Sequence, residues 1–464
     1  MTLSLPTDSD LCAQLALWLP EQRWFSGKSL TLSAVRLRLR EPLIDTDGFA
    51  AEQVVVDVEF AGGPAQRYQI PLAYRVHPPE ALLPFALPEL DVDPVPGTER
   101  PVVYDATADQ EVNDHYLTAL AEQQTLGSIT FRTVAGSAID TALRSRPIGA
   151  EQSNTSIVYG EQLLLKLFRR LEPGINPDLE LHRALADSGC EHVAPLIGWI
   201  ESELDGEPLT LAMVQEFVAN AADGWSLAVN SVRDLFVEAD LHAAEVGTDF
   251  AGEAQRLGEA VAHVHADLAR QLGSTHAAVS ADTIAGMTRR LDAAAAIVPE
   301  IADRRVAAQA VFDKAATAAP TTVQRIHGDL HLGQALRAPS RWIVIDFEGE
   351  PVKTIAERRL PDSPLRDIAG MLRSFDYAGH HSLTDFSTMQ DSQREFRAKE
   401  WTTRNGSAFC DGYASVAGTD PRAESDLLEA YLLDKAIYEA VYEVRHRPNW
   451  LPLPVKAITR IIAG

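Results

Sequence analysis

The chain has 464 residues, too many for one compact core, so two or three domains, or a two-lobed unit with an extension, are expected. Apolar residues make up 46% and charged residues 23%, which excludes wholesale disorder. The net charge of −25 argues against nucleic acid and anionic membrane as partners, so any phosphate-binding cleft must bring its own basic groups.

The stretch up to about Tyr74 reads as a small α+β unit. A helix over Leu11–Leu19 stops near Pro20, and strands follow at Ala34–Leu39, Val54–Phe60 and Tyr68–Leu72. Between Val76 and Pro101, prolines and acidic residues crowd together as a connector. Ile157–Tyr159 and Gln162–Phe168 flank Gly160-Glu161, a hairpin turn. Asn176-Pro177 caps and opens a helix that runs to Ser188 and stops at Gly189. Glu216-Phe217-Val218 leads into a small, polar stretch that reads as a hinge. Beyond it the chain is mostly helical, with Ala254, Leu257, Val261, Val264 and Leu268 on one buried face. Cys12, Cys190 and Cys410 lie far apart without metal-ligand spacing and read as reduced thiols of a cytoplasmic protein. No apolar run approaches the roughly 18–20 residues of a membrane span, and Asp8 and Asp10 stand where a secretory signal would be basic.

Ser26-Gly27-Lys28-Ser29 ends like a P-loop, but position 22 is Gln22 where the loop needs glycine, so a solvent-exposed turn is the better reading. The informative island is Ile326-His327-Gly328-Asp329-Leu330-His331-Leu332-Gly333-Gln334, followed by Trp342-Ile343-Val344-Ile345-Asp346-Phe347-Glu348. Ala335–Arg337 and Trp342–Ile345 flank Pro339-Ser340 as a hairpin, which brings Gln334 and Asp346 together and leaves Asp329 on the preceding loop. The set offers one carboxylate to take a proton from a substrate hydroxyl. An amide oxygen and a second carboxylate remain as hard ligands for Mg²⁺, as phosphoryl transfer requires. His327 and His331 would need a helix to form a zinc pair, and Gly328 argues against one.

These strings resemble the aminoglycoside-phosphotransferase-like branch of the kinase superfamily, whose H-G-D-x-x-x-x-N signature is followed by a strand-terminal D. Gln334 departs from the asparagine and keeps its amide oxygen. Gln152-Ser153-Asn154-Thr155-Ser156, Gly174-Ile175-Asn176-Pro177-Asp178, Asp346-Phe347-Glu348-Gly349-Glu350-Pro351, Pro364-Leu365-Arg366-Asp367 and Arg447-Pro448-Asn449-Trp450-Leu451-Pro452 further resemble actinobacterial maltokinases, as does the opening Gln22–Lys28. The resemblance implies an α+β, bilobal protein-kinase-like fold: a small antiparallel-sheet N-lobe, a mostly helical C-lobe and an additional N-terminal α+β cap. Residues 1–90 would form the cap, 91–218 the N-lobe and 219–464 the C-lobe. It implies transfer of the ATP γ-phosphate to the anomeric hydroxyl of maltose, feeding α-glucan synthesis from trehalose, with trehalose synthase as an associated partner. Glucosamine, another sugar or an aminoglycoside is the alternative acceptor.

Within that frame Asp329 is the catalytic base, and Gln334 and Asp346 hold Mg²⁺. Lys166, a charge inside an apolar strand, faces the ATP phosphates, with a water-facing edge lysine as the alternative. Glu180 is its ion-pair partner in the next helix. Ser153, Asn154, Thr155 and Ser156 form the turn over the phosphates, with a plain hairpin loop as the alternative, and backbone groups of Glu216 and Val218 read adenine, with a structural linker as the alternative. Asp434, Tyr438 and Tyr442 share a helix face with Lys435 and Glu439, which from spacing alone reads equally as a sugar-binding face or a surface helix with a Lys435–Glu439 pair. The resemblance favours Asp434, Lys435 and Tyr438, with Asp329 and His331, as sugar contacts. Arg366 and Asp367 are either structural or part of the sugar pocket.

Overall fold

A computed structural model describes residues 3–89, 99–148, 153–238, 241–351, 353–381 and 391–463. Gln152 and the expected cap boundary at residue 90 lie outside the described residues. The chain divides into two compact units, Met1–Glu180 with Pro195–Ala219, and Leu181–Ala194 with Asn220–Gly464.

In the first unit α1 (Asp8–Trp18) begins where the Thr7 hydroxyl accepts the Asp10 N–H, a capped start three residues earlier than the apolar pattern suggested. An antiparallel meander follows: β1 (Leu32–Thr46), β2 (Phe49–Phe60) and β3 (Gly63–Arg75), with β4 (Val102–Asp105) pairing β3. Along β2, Ala50, Val54, Val56 and Val58 enter one core with Leu11 and Leu15 of α1. Phe49, Ala51 and Val55 enter another with α2 (Gln110–Ala121). A sheet covered on both faces needs a strand apolar on both faces, which accounts for the unbroken Val54-Val55-Val56 run.

β5 (Thr125–Leu126), β6 (Ile129–Thr133), β7 (Ser145–Ile148), β8 (Thr155–Tyr159) and β9 (Leu163–Leu167) come next. They are followed by β10 (Arg170–Leu171), α3 (Pro177–Ser188), β11 (Leu196–Leu204) and β12 (Glu207–Glu216). The second sheet runs β5-β6-β11-β12-β9-β8-β7, whereas β10 turns away to pair β3. The β8–β9 turn is the expected Gly160-Glu161, with φ of +53° and +55° as a tight hairpin requires.

The second unit is mostly helical. It holds β13 (Ala222–Asp223), α4 (Gly224–Val237), α5 (Ala251–Leu272), β14 (Ser274–Ala277), α6 (Ala281–Ala295), α7 (Pro299–Ala302) and α8 (Arg305–Ala316). Then come β15 (Thr321–Gln324), the hairpin β16 (Ala335–Arg337) and β17 (Trp342–Val344), and α9 (Ile355–Arg358). Four helices close the chain: α10 (Leu365–His381), α11 (Asp391–Ala417), α12 (Ser425–His446) and α13 (Pro452–Ala463). The expected face of α5 is buried as read, in one core with Trp342, Phe375, Trp401 and Ile437. Among the described residues no helix is long and apolar enough to cross a membrane.

Candidate active site

In the first unit the β8–β9 register sets Ser156 opposite Lys166. The Lys166 side chain is 8% exposed, and its Nζ donates to Asp178 Oδ2 at 2.8 Å. A buried ammonium demands such a partner. Asp178 is aimed by its helix start, where Asn176 Oδ1 accepts its N–H at 2.8 Å. The sequence reading gave this pairing to Glu180, but the structure seats Asp178 on the lysine. Glu180, two residues on, is turned by about 200° around the helix axis. Ser153 and Asn154 form a bend and Thr155 opens β8, where its Oγ1 accepts from Arg169 Nε at 2.7 Å. Glu216 ends β12 and donates its N–H to Pro195 O, and Val218 follows just before the unit ends at Ala219.

In the second unit the loop after β15 is suspended from Asp367 at the start of α10. Its Oδ2 accepts His327 N–H and its Oδ1 accepts Gly328 N–H, both at 2.8 Å, while His265 Nε2 lies 3.0 Å from Oδ2 and Tyr413 Oη 3.0 Å from His265 Nδ1. Asp367 is 1% exposed. Burial works against its charge, but His265 and the loop donors win and hold its pKa below the usual carboxylate value. Two glycines let the backbones close in. Gly328 has φ +85°, and a Cβ on Gly370 would come within 2.4 Å of Leu330 O.

His327 then ties the two halves of the motif. Its Nδ1 accepts the Asp329 N–H at 3.3 Å and its Nε2 lies 3.0 Å from Ile345 O. No helix forms there, so the two histidines of the motif are not stacked as a zinc pair would need. Gln334 Nε2 donates to Asp346 Oδ2 at 2.9 Å, and Asp346 takes the left-handed φ of +66° as it leaves the hairpin. The Glu348 carboxylate lies within 4.8 Å of Asp346. These are hard oxygen donors, and turning the Gln334 amide presents its Oε1 in place of the nitrogen, so the residues fit a small divalent cation. In the sequence Glu348 carries no signal of its own beyond its place in the motif, where the resemblance to protein kinases implies a glycine.

Asp329 opens onto a cavity of about 430 Å³. His331, Lys435, Tyr438 and Glu439 line it, together with Trp225, Tyr377, Tyr442, Glu443, Arg447 and Trp450. Lys435 Nζ donates to Asp329 Oδ1 at 2.7 Å. Burial works to lower the Lys435 pKa, yet the carboxylates of Asp329 and Glu350 overcome it and hold the ammonium charged. Burial pushes His331 below the ordinary imidazole value, so its ring is neutral near pH 7, and its Nδ1 accepts the Gly333 N–H. Glu439 meets Arg373 at 2.5 Å, and Glu443 meets Arg447 at 2.7 Å and the Tyr377 hydroxyl at 2.5 Å. Among the described residues, every carboxylate in the wall of this cavity therefore faces a cation already.

Asp434 departs from the expectation of a sugar contact. Both its oxygens are taken by Arg290, at 2.7 and 2.6 Å, and it is 5% exposed. It lines an adjoining cavity of only about 20 Å³ with Arg366, Glu350 and Tyr431, and Asp329, Lys435 and Tyr438 line both cavities. On α12, Asp434 precedes Lys435 by about 100°, enough to turn it away from the larger cavity. Arg366 joins that charged cluster through Asp362 at 2.6 Å, so Arg366 and Asp367 separate into two roles. Arg290 and the aromatic residues Trp225 and Tyr377 carried no signal in the sequence, since single residues on helices far apart in the chain show no spacing.

Residues 18–109 match the family model of the maltokinase N-terminal cap domain. The chain is 30% identical over 387 residues to a glucosamine kinase of Streptacidiphilus jiangxiensis, covering 79% of this chain and 83% of that protein. The chain belongs to the glucosamine kinase family. A second family member, from Mycolicibacterium smegmatis, is 29% identical over 345 residues, covering 71% and 82% of the two chains. A solved glucosamine kinase in complex with glucosamine, ADP and inorganic phosphate superposes with a TM-score of 0.69 at 25% identity, over 99% of this chain and all of that one. Another crystal form gives 0.72 at 23% identity over the same shares, a likeness of fold. This member of the glucosamine kinase family thus has the protein-kinase-like fold with an N-terminal cap, and it is a sugar kinase.

Proposed function

We propose that the chain phosphorylates maltose at its anomeric hydroxyl, giving maltose 1-phosphate and ADP. The observation that carries this reading is the acceptor cavity at Asp329: its carboxylates are each matched by a cation, and aromatic rings make up much of its wall. Such a wall suits a neutral, polyhydroxylated disaccharide, whose hydroxyls bond the polar groups and whose C–H faces lie on the rings. The match of residues 18–109 to a maltokinase cap supports the same reading.

In this mechanism Lys435 occupies Asp329 Oδ1, so Oδ2 is the oxygen that takes the proton from the anomeric O–H. The sugar oxygen forms a bond to the γ-phosphorus as the bond to the ADP oxygen breaks. Lys166, held by Asp178, neutralises the phosphates, and the backbone of Ser153–Ser156 with the Ser153 hydroxyl cradles them. Glu216 and Val218 offer backbone groups to adenine. Gln334 and Asp346 would hold a divalent cation, here Mg²⁺, which when bound offsets phosphate charge. His331 and Tyr438 position the sugar; Asp434 enters only by fixing α12 through Arg290.

Glucosamine is the second reading, favoured by the relatives at 30% and 29% identity. Its ammonium calls for a carboxylate, and each carboxylate that the described residues place in the cavity wall already faces a cation. An ADP-release assay over maltose, glucose, glucosamine and kanamycin decides: maltose must give the highest kcat/KM, and preference for glucosamine replaces the proposal. The free cysteines accord with a cytoplasmic setting. The resemblance also implies association with trehalose synthase, which co-sedimentation of the two purified proteins tests.

A further inference from the structure

Arg169 lies three residues beyond Lys166 and is 1% exposed. Its Nε donates to Thr155 Oγ1 at 2.7 Å, at the start of β8. Its Nη2 donates to Asp105 Oδ2 at 2.6 Å and Thr107 Oγ1 at 3.0 Å, and its guanidinium carbon sits 4.6 Å from the centre of the Trp24 ring. Trp24, Asp105 and Thr107 all fall within the cap segment, residues 18–109. One planar group thus bonds the cap on one side and, on the other, Thr155, the residue of the Ser153–Ser156 turn that opens β8.

The backbone runs the same way. After β9, which carries Lys166, Arg170 and Leu171 pair with Tyr68 and Arg67 of β3 in the cap sheet, and Gln69 N–H donates to Arg169 O at 2.9 Å. Stability alone is a poor account of the arginine. Buried ion pairs are often replaceable by apolar packing without loss, and Arg169 Nη1 is buried without an acceptor among the described residues. What a guanidinium adds over apolar packing is a rigid fork that fixes the angle between its partners.

We propose that Arg169 is a positioning residue for the phosphate turn, and that through it the cap sets nucleotide affinity. The proposal rests on the reading of Ser153–Ser156 as the turn over the phosphates. A cap that only braces the sheet would contribute to thermal stability and leave nucleotide binding alone.

The test uses the full chain and Mg²⁺-ADP, so that the identity of the acceptor does not enter. Binding is measured by titration calorimetry, with melting temperature alongside, for Asp105→Asn and Thr107→Val on the cap side, Thr155→Val on the turn side, and the Asp105→Asn/Thr155→Val double variant. Each single variant is expected to weaken ADP by about fivefold to tenfold, because only part of the roughly tenfold to hundredfold worth of a hydrogen bond to a charged group is relayed to the nucleotide. The double variant should bind no more weakly than the worse single one, because all act through one guanidinium. Should Asp105→Asn fail to fold, the near-isosteric Thr107→Val carries the cap-side arm. Cap-side variants that lower the melting temperature but keep ADP affinity within twofold overturn the proposal alone. A wild type that does not bind Mg²⁺-ADP removes the nucleotide reading and this inference with it.

Discussion

Replacing Asp367 with Asn tests whether the loop carrying Asp329 is held from behind. The carboxylate accepts two backbone N–H groups at 2.8 Å and faces His265 at 3.0 Å, with 1% of the residue exposed. An amide keeps a single oxygen. Whichever way it turns, its NH₂ meets a backbone N–H of His327 or Gly328, leaving a buried donor unpaired at a cost of about 1–3 kcal/mol. Loss of the charge on the remaining bonds brings the total to about 3–5 kcal/mol, or roughly 10 °C in melting temperature for a unit of this size. Turnover should fall further, because Asp329 directly follows Gly328 and a displacement of about 1 Å costs on the order of a hundredfold in rate. The pH dependence has a definite sign. The folded pKa of Asp367 lies below its unfolded value, so its contribution is complete above the unfolded pKa and is lost as pH falls through the folded one. The stability gap between wild type and variant should therefore narrow below about pH 4. Thermal unfolding between about pH 3 and 8 and a coupled ADP assay near pH 7 measure both effects. A variant that melts and turns over like the wild type at neutral pH would refute the anchoring role.

Asp329→Asn should bind Mg²⁺-ADP normally and lose about 10²–10⁴-fold in kcat, read by single-turnover assay. Asp178→Asn should reduce kcat/KM for ATP by about tenfold or more, because it removes the carboxylate charge that meets the buried Lys166 ammonium at 2.8 Å; Glu180→Gln is expected to do less, and the reverse order would return the pairing to Glu180. Arg290→Met should lower stability by about 3 kcal/mol by leaving the buried Asp434 carboxylate unpaired, with acceptor KM changed less than stability, which calorimetry and steady-state kinetics separate. Chelation by EDTA should abolish ADP release, and Mg²⁺ in excess should restore it.

Several local features were legible because their signals are local. The Asn176-Pro177 start of α3, the Gly160-Glu161 turn, the α5 face and the β16–β17 hairpin each follow from residues within one or two helical turns or one strand pair. The same holds for the catalytic string, since Asp329, Gln334 and Asp346 lie within 18 residues and their spacing already places them on one loop and hairpin. Where the reading slipped, two candidates competed on one helix. Asp178 and Glu180 are both acidic residues in the first turn of α3, and Asp434 and Lys435 are adjacent on α12. Pattern could not choose between them, because a helix points neighbouring residues in different directions and only packing says which direction faces the site.

By itself the sequence determined several of the elements, the chemistry of the phosphotransfer motif and its resemblance to capped sugar kinases, all of which depend on short separations along the chain. Only the tertiary structure decided that Asp367, His265 and Tyr413 hold the catalytic loop, that Arg290 claims Asp434, and that Arg169 joins the cap to β8. Those contacts join residues from 14 to 148 positions apart, and the pairing of a buried charge at such distance is set by which surfaces the cores bring together rather than by any periodicity in the chain.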